Sequence, residues 1–182
     1  FWRIYGIINH FMTINELRRL VAQGEGHNLE FKRTTGELRE GLETICAYLN
    51  TEGGSVLFGV DRKGNINGQQ VSEQTIHEIT DRISHFEPSA SVDTQRIKGG
   101  DGREAIALSV QPDREGVPYA LAGRSYERVG NTTRLMSQRR YETLLLERAH
   151  SRRRWENQPV ERVQLKDLDH EEILRTRELA IQ

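Results

Sequence analysis

Cys46 is the only cysteine in the chain, which excludes a disulfide framework and a zinc site of the usual Cys/His spacing and makes a cytoplasmic setting the expectation. No histidine stands at helical spacing from Cys46, so the thiol is expected to pack in a helix core rather than to form a Cys–His dyad. His27, His77 and His85 are scattered, with no His-x3-His pattern. Gly-x4-Gly-Lys-Ser/Thr is missing too, so this segment carries no Walker-type ATP site. Apolar runs are short: none approaches the roughly 20 residues of a membrane span, and no membrane partner is expected. Aromatic residues make up 7% and charged residues 29% of 182 positions, the composition of a polar-surfaced soluble protein with room for one cored domain and a fragment of a second.

Residues 1–11 lack the apolar length and positive charge of a secretory signal and read as an N-terminal extension. Thr13 is placed to cap a helix whose apolar positions are Leu17, Leu20 and Val21. From Glu37, the residues Leu38, Leu42, Ile45 and Leu49 recur at helical spacing, and the helix is expected to stop near Asn50. Asn50-Thr51-Glu52-Gly53-Gly54 then leads into Val56–Val60, whose β-branching and length suit a buried strand, and the run ends on Asp61 in a turn with Gly64. A further helix fits Ser72 to Phe86, with Ser72 as N-cap. Strands follow at Ser91–Lys98, Glu104–Gln111 and Ser125–Val129, separated by Gly- and Pro-containing turns. Ser137 opens a third long helix with Tyr141, Leu144, Leu145 and Arg148 inward. The fold class expected is α+β, a mixed, largely antiparallel sheet flanked by helices. The domain is expected to span residues 12–154. Residues 155–182 read as a linker and the start of a following, truncated region, in which Asp169 and Glu172 form a capping box before Ile173 and Leu174.

The overall charge of −1 conceals an uneven distribution. Gly123 to Arg154 holds nine arginines against three glutamates, a net +6, whereas Trp155 to Gln182 has a net −3. Guanidinium groups hold phosphate oxygens bidentately, which makes nucleic acid the natural partner. Arg124, Arg128, Arg134, Arg152, Arg153 and Arg154 are the candidate contacts. Arg128 and Arg134 flank Gly130-Asn131-Thr132-Thr133, a loop whose N–H groups and hydroxyls suit a phosphate. Arg139, Arg140 and Arg148 read as a solvated helix face.

The second constellation is acidic. If Asn28 to Lys32 is extended, Leu29 and Phe31 face the core while Glu30 and Lys32 share the other face. A metal-dependent nuclease needs carboxylates to hold Mg²⁺ or Mn²⁺ beside the scissile phosphate and can use a lysine on the phosphate. Glu25, Glu30 and Asp61 are the candidate ligands, with Lys32 as the candidate nucleic-acid contact. Glu-x-Lys is common by chance, and the ordinary alternatives are a surface ion pair for Glu30 and Lys32, worth under about 1 kcal/mol, and a plain turn role for Asp61.

Taken together, Glu25-x4-Glu30-Phe31-Lys32, the helix into Ala47-Tyr48-Leu49-Asn50-Thr51-Glu52-Gly53-Gly54, the strand Leu57-Phe58-Gly59-Val60-Asp61 with Gly64 and Gly68, and Tyr126-x-Arg128-Val129-Gly130-Asn131-x-Thr133 resemble the Schlafen AlbA-type DNA-binding domain, formerly grouped as divergent AAA. The likeness spans about Leu17 to Leu146. It implies the DNA-binding part of a bacterial transcriptional regulator or a RecG-related, helicase-like protein. Related Schlafen cores form a clamp on transfer RNA, and some are metal-dependent endoribonucleases that use two glutamates and an aspartate; Glu25, Glu30 and Asp61 fall at the matching motif positions. A single copy would need a homodimer to form such a clamp. The expectations are therefore a nucleic-acid-binding, homo-oligomeric domain with no certain cofactor, set against a Mg²⁺- or Mn²⁺-dependent endoribonuclease acting on structured RNA and against a protein oligomerisation module.

Overall fold

The computed structural model describes residues 11–113 and 116–152, together with residues 169, 171 and 174. The extension over residues 1–10, Arg153, Arg154 and the remaining positions of 155–182, Glu172 and Ile173 among them, lie outside the described residues, as does the side chain of Arg152. The chain divides into two compact units, Phe1–Arg148 and Ala149–Gln182.

Helix α1 (Ile14–Val21) begins where expected, because Thr13 accepts from the Glu16 N–H and the Glu16 carboxylate accepts from the Thr13 N–H in return. This reciprocal pair satisfies two donors that a helix start otherwise leaves open. Strand β1 (Leu29–Lys32) follows, and then a 3-10 turn at Thr35–Glu37, which Thr34 caps, opens α2 (Leu38–Leu49). The whole anticipated stripe, Leu38, Leu42, Ile45 and Leu49, is buried.

The joint between α2 and strand β2 (Gly54–Phe58) depends on its two glycines. Gly53 has φ +78°, and a Cβ there would stand 2.7 Å from the Val110 carbonyl oxygen; one on Gly54 would stand 2.6 Å from that of Asn28. Only glycine lets three backbone segments approach so closely.

Helix α3 (Glu73–Ile83) is capped by Ser72, and β3 (Phe86–Glu87), β4 (Asp93–Lys98) and β5 (Glu104–Val110) come next. The sheet order is β1-β2-β5-β4, with β1 parallel to β2 and the other pairs antiparallel. Period-two alternation along β2 and β5 sends their side chains to two cores. Val56, Phe58, Ile106, Leu108 and Val110 pack with α2 and with Ile79 of α3. Leu57, Ala105 and Ala107, with Ile97 of β4, pack with Leu17 and Val21 of α1 and with Leu29 and Phe31 of β1. The sheet is thus layered between α2 and α3 on one face and α1 on the other, the α+β arrangement expected.

Two small antiparallel pairs complete the unit: β3 with β6 (Ala120–Leu121), and β7 (Tyr126–Val129) with β8 (Thr132–Leu135). Helix α4 (Gln138–Arg152) follows. Its inward side is the expected one, with Leu144 buried and Tyr141, Leu145 and Arg148 half-buried. The structure departs from expectation at Phe86, which pairs with Leu121 as a strand residue instead of ending α3. Burial of the ring is kept while the backbone takes a long-range partner. In the second unit, Asp169 Oδ1 accepts from the Glu171 N–H at 3.0 Å.

Candidate nucleic-acid interface

Edge strand β1, helix α2 and the β7–β8 hairpin meet along a polar seam, and Arg128 is its centre. Along β7, Tyr126 and Arg128 point the same way, inward. The Arg128 side chain is 1% exposed. Its Nη1 donates to Thr133 Oγ1 at 2.9 Å, and its Nη2 donates to the Gly26 carbonyl at 2.9 Å and to Glu30 Oε2 at 2.8 Å. The guanidinium also lies over the Tyr48 ring, 5.3 Å from its centroid, within cation–π range. Thr133 in turn shares a hydrogen bond with Thr44 of α2, and His27 Nδ1 meets the Gly130 carbonyl at 3.0 Å.

This corrects one expectation. Arg128 is a buried tie between elements, unavailable to an outside phosphate. Gly130-Asn131-Thr132-Thr133 forms the turn and first strand residues of a hairpin, with Gly130 at φ +60°, and the Thr133 hydroxyl already accepts from Arg128.

Glu30 and Lys32 do share one face, the α2 side, as the alternation required. Lys32 Nζ donates to Glu30 Oε1 at 3.0 Å, and its side chain is 14% exposed. Glu30 therefore holds a cation on each oxygen, and Lys32 is a partner in the seam rather than a free phosphate contact. Glu25 accepts the Phe31 N–H on Oε1 at 3.0 Å. Burial, with smaller contributions from Glu30 and Glu25, pushes the Tyr48 hydroxyl above the usual tyrosine range against the opposing pull of Arg128.

Asp61 serves its own turn. Its Oδ1 accepts from the N–H groups of Lys63 and Asn65, and its Oδ2 accepts from the side-chain amides of Asn65 and Asn67. These bonds, led by those from Asn65, bring its pKa down to about 2. Among the described residues, no group of three or more His, Cys, Asp or Glu side chains is placed to hold a metal ion. Glu25, Glu30 and Asp61 thus do not converge as one ligand set; each carboxylate has its own local hydrogen-bonding duty, and the residues do not fit a three-acid Mg²⁺ or Mn²⁺ site.

Of the other candidate arginines, Arg124 and Arg134 lie among the described residues, and both are exposed. Arg124 is exposed, and its side chain has no carboxylate partner among the described residues. Burial and the hydrogen bond to Glu43 push the Tyr126 hydroxyl above its ordinary range, against the smaller opposing pull of Arg124 and Arg39. Arg134 is 60% exposed and pairs with Glu127 across the hairpin at 2.9 Å. Arg139 and Arg140 are exposed in the first turn of α4.

The sequence marks Asn50 as a helix stop and as the first residue of the Asn-Thr-x-Gly-Gly joint, and it is also the main polar anchor of α2. Buried, it donates from Nδ2 to the carbonyls of Tyr119 and Tyr126, both at 2.9 Å, and accepts the Tyr119 N–H on Oδ1 at 2.6 Å. The segment before β7 is fixed to the end of α2 by these three bonds. An asparagine closing an apolar helix before Gly-Gly was the available signal. Cys46, one turn earlier, is buried as expected; burial raises its pKa to about 12, so the thiol is held protonated.

These features define a class: an α+β domain whose mixed sheet carries, beside its edge strand, an arginine-bearing hairpin locked to a core helix. The Schlafen, AlbA_2 family model matches residues 25–137, and the chain belongs to that family. Membership supports the coarser functional reading, a nucleic-acid-binding domain. Two solved structures are similar. The DIP2311 protein of Corynebacterium diphtheriae is 18% identical, with a TM-score of 0.45 over 84% of this chain and 29% of that one. The N-terminal domain of a RecG-related protein from Nitrosomonas europaea is 20% identical, with a TM-score of 0.49 over 70% of this chain and 97% of that one. The chain thus spans less than a third of the DIP2311 protein. Among the described residues, no helix is long and apolar enough to cross a membrane.

Proposed function

We propose that this chain is the DNA-binding domain of a cytoplasmic transcriptional regulator, acting as a homodimer and engaging phosphates through Arg124, Arg134 and the Arg152–Arg154 cluster. The observation that carries the reading is the division of labour on β7–β8. Arg128 is consumed in fixing the hairpin, while Arg124 and Arg134, on and just before the same ribbon, are exposed to solvent. A rigid ribbon with outward guanidinium groups suits contacts to a phosphate backbone, which set position and affinity more than sequence preference.

Binding on this reading is salt-sensitive. Arg124→Ala with Arg134→Ala is expected to weaken binding of labelled duplex DNA about tenfold at low salt and to flatten the plot of log affinity against log salt by roughly 1–2. Absence of affinity for both DNA and RNA at low salt would sink the proposal. The endoribonuclease alternative gains no support from Glu25, Glu30 and Asp61, whose carboxylates are engaged separately. Incubating structured RNA with Mn²⁺ tests it directly: cleavage abolished by Glu30→Gln would restore it.

A further inference from the structure

On the α1 side of the sheet, away from the hairpin, an open groove of about 650 Å³ lies between α1, the turn after Asp61 and the β4–β5 connection. Its apolar lining includes Ile66, Ile97 and Ala105, and two arginines line it as well, Arg18 from α1 and Arg103 from just before β5. Both guanidinium groups bond only to neutral oxygens. Arg18 Nη1 donates to Asn15 Oδ1 at 3.2 Å, and Arg103 Nη1 donates to the Asn67 carbonyl at 3.4 Å. Neither has a carboxylate partner among the described residues, whereas Arg39, Arg96, Arg128 and Arg134 all do. A neutral acceptor leaves the charge uncancelled and most of the five N–H donors of each fork open.

The base of Arg103 is held firmly. Gly68, at φ +60°, lets the turn lie against it so closely that a Cβ on Gly68 would stand 2.7 Å from the Arg103 Cβ. One acid, Asp101, lines the groove, and its Oδ1 already accepts the Arg103 N–H. Asp61, whose carboxylate is turned into its own loop, is not part of the lining. Two open guanidinium groups outnumber the one carboxylate, whose charge the Arg103 N–H does not cancel, so the groove keeps a net positive charge that suits an anion with several oxygens.

We infer that this groove takes a phosphate group of a bound nucleic-acid strand, with Arg18 and Arg103 as donors. It is a second contact, on the opposite face of the sheet from Arg124 and Arg134. The inference rests on the nucleic-acid reading above and adds a site to it.

The test measures labelled single- and double-stranded oligonucleotides by fluorescence anisotropy across a salt series, using the full chain. Arg18→Ala with Arg103→Ala is expected to lower affinity about tenfold at low salt and to reduce the salt slope by roughly 1–2, as loss of one or two phosphate contacts requires. Asp101→Asn, which removes the one groove acid, is expected to tighten binding. Backbone amide resonances of Gly64, Gly68, Gly99 and Gly100 should shift as oligonucleotide is added. Wild-type affinity and slope in the Arg18/Arg103 variant, with weakened binding in the Arg124/Arg134 variant, would overturn the groove and leave the domain's function standing. No binding by the wild type would overturn both. A polyglutamate peptide that shifts these amides while the oligonucleotide does not would assign the groove to an acidic protein and end the proposal.

Discussion

Arg128, Arg39 and Arg134 on one side of the sheet and Arg18 and Arg103 on the other meet different partners, while Arg124, on the hairpin side, has no carboxylate either among the described residues. On the α2 face, Arg128 is inside the protein with a glutamate, a carbonyl, a hydroxyl and an aromatic ring around it, and Arg39 and Arg134 each hold a glutamate. On the α1 face, Arg18 and Arg103 hold only neutral oxygens. A count of basic residues along the chain singles out 123–154 as the charged region, yet part of that charge is spent internally. Net field at a surface depends on which cations already have partners, a property of the fold rather than of the segment.

The comparison can be pressed hardest at Arg128. Replacing it with alanine removes one member of a buried charge pair and leaves Glu30 only Lys32, so a loss of about 3 kcal/mol is expected in urea denaturation. A loss below about 1 kcal/mol would show that the seam does not hold the hairpin and that the contrast between the faces is overdrawn. Asn50→Ala comes next. It strands the carbonyls of Tyr119 and Tyr126 and the Tyr119 N–H, for an expected cost of about 2 kcal/mol in the same experiment. Much smaller is the effect of Arg18→Ala with Arg103→Ala on stability, expected within about 0.5 kcal/mol because both side chains are exposed. A larger loss would mean that the groove arginines are structural too, and the two faces would no longer differ.

The mildest change is at Asp61. Its carboxyl titrates lower in the folded chain than its ordinary value of 3.8, near 2, so its contribution to stability is complete above about pH 4 and disappears as pH falls towards 2. Asp61→Asn should remove that part of the acid limb of the stability profile. An unchanged acid limb would show that the turn does not depend on the charge.

The helices were legible because their signals are local. Leu38, Leu42, Ile45 and Leu49 mark one stripe, and Thr13 and Ser72 announce the starts they cap. Strands β4, β5 and β7 followed from the Gly- and Pro-containing turns that separate them. The polar seam was hidden because its partners are far apart in sequence: Glu30 and Arg128 are 98 positions from each other. An arginine in a run rich in arginine reads as surface, and only the alternation Tyr126, Arg128 hinted that it faced inward with a core residue. Strand β8 escaped notice because Asn131-Thr132-Thr133 has loop composition, and its pairing to β7 supplies what propensity does not.

Glu25 has a consequence of another kind. By accepting the Phe31 N–H, while Gly26 donates to the Leu29 carbonyl, this short segment occupies hydrogen-bonding groups along the outer rim of β1. A strand from a second molecule would have to displace both contacts before it could extend the sheet there. The sheet is thereby guarded against growth at its parallel edge, which leaves β4 as the edge of this sheet without such a guard among the contacts described.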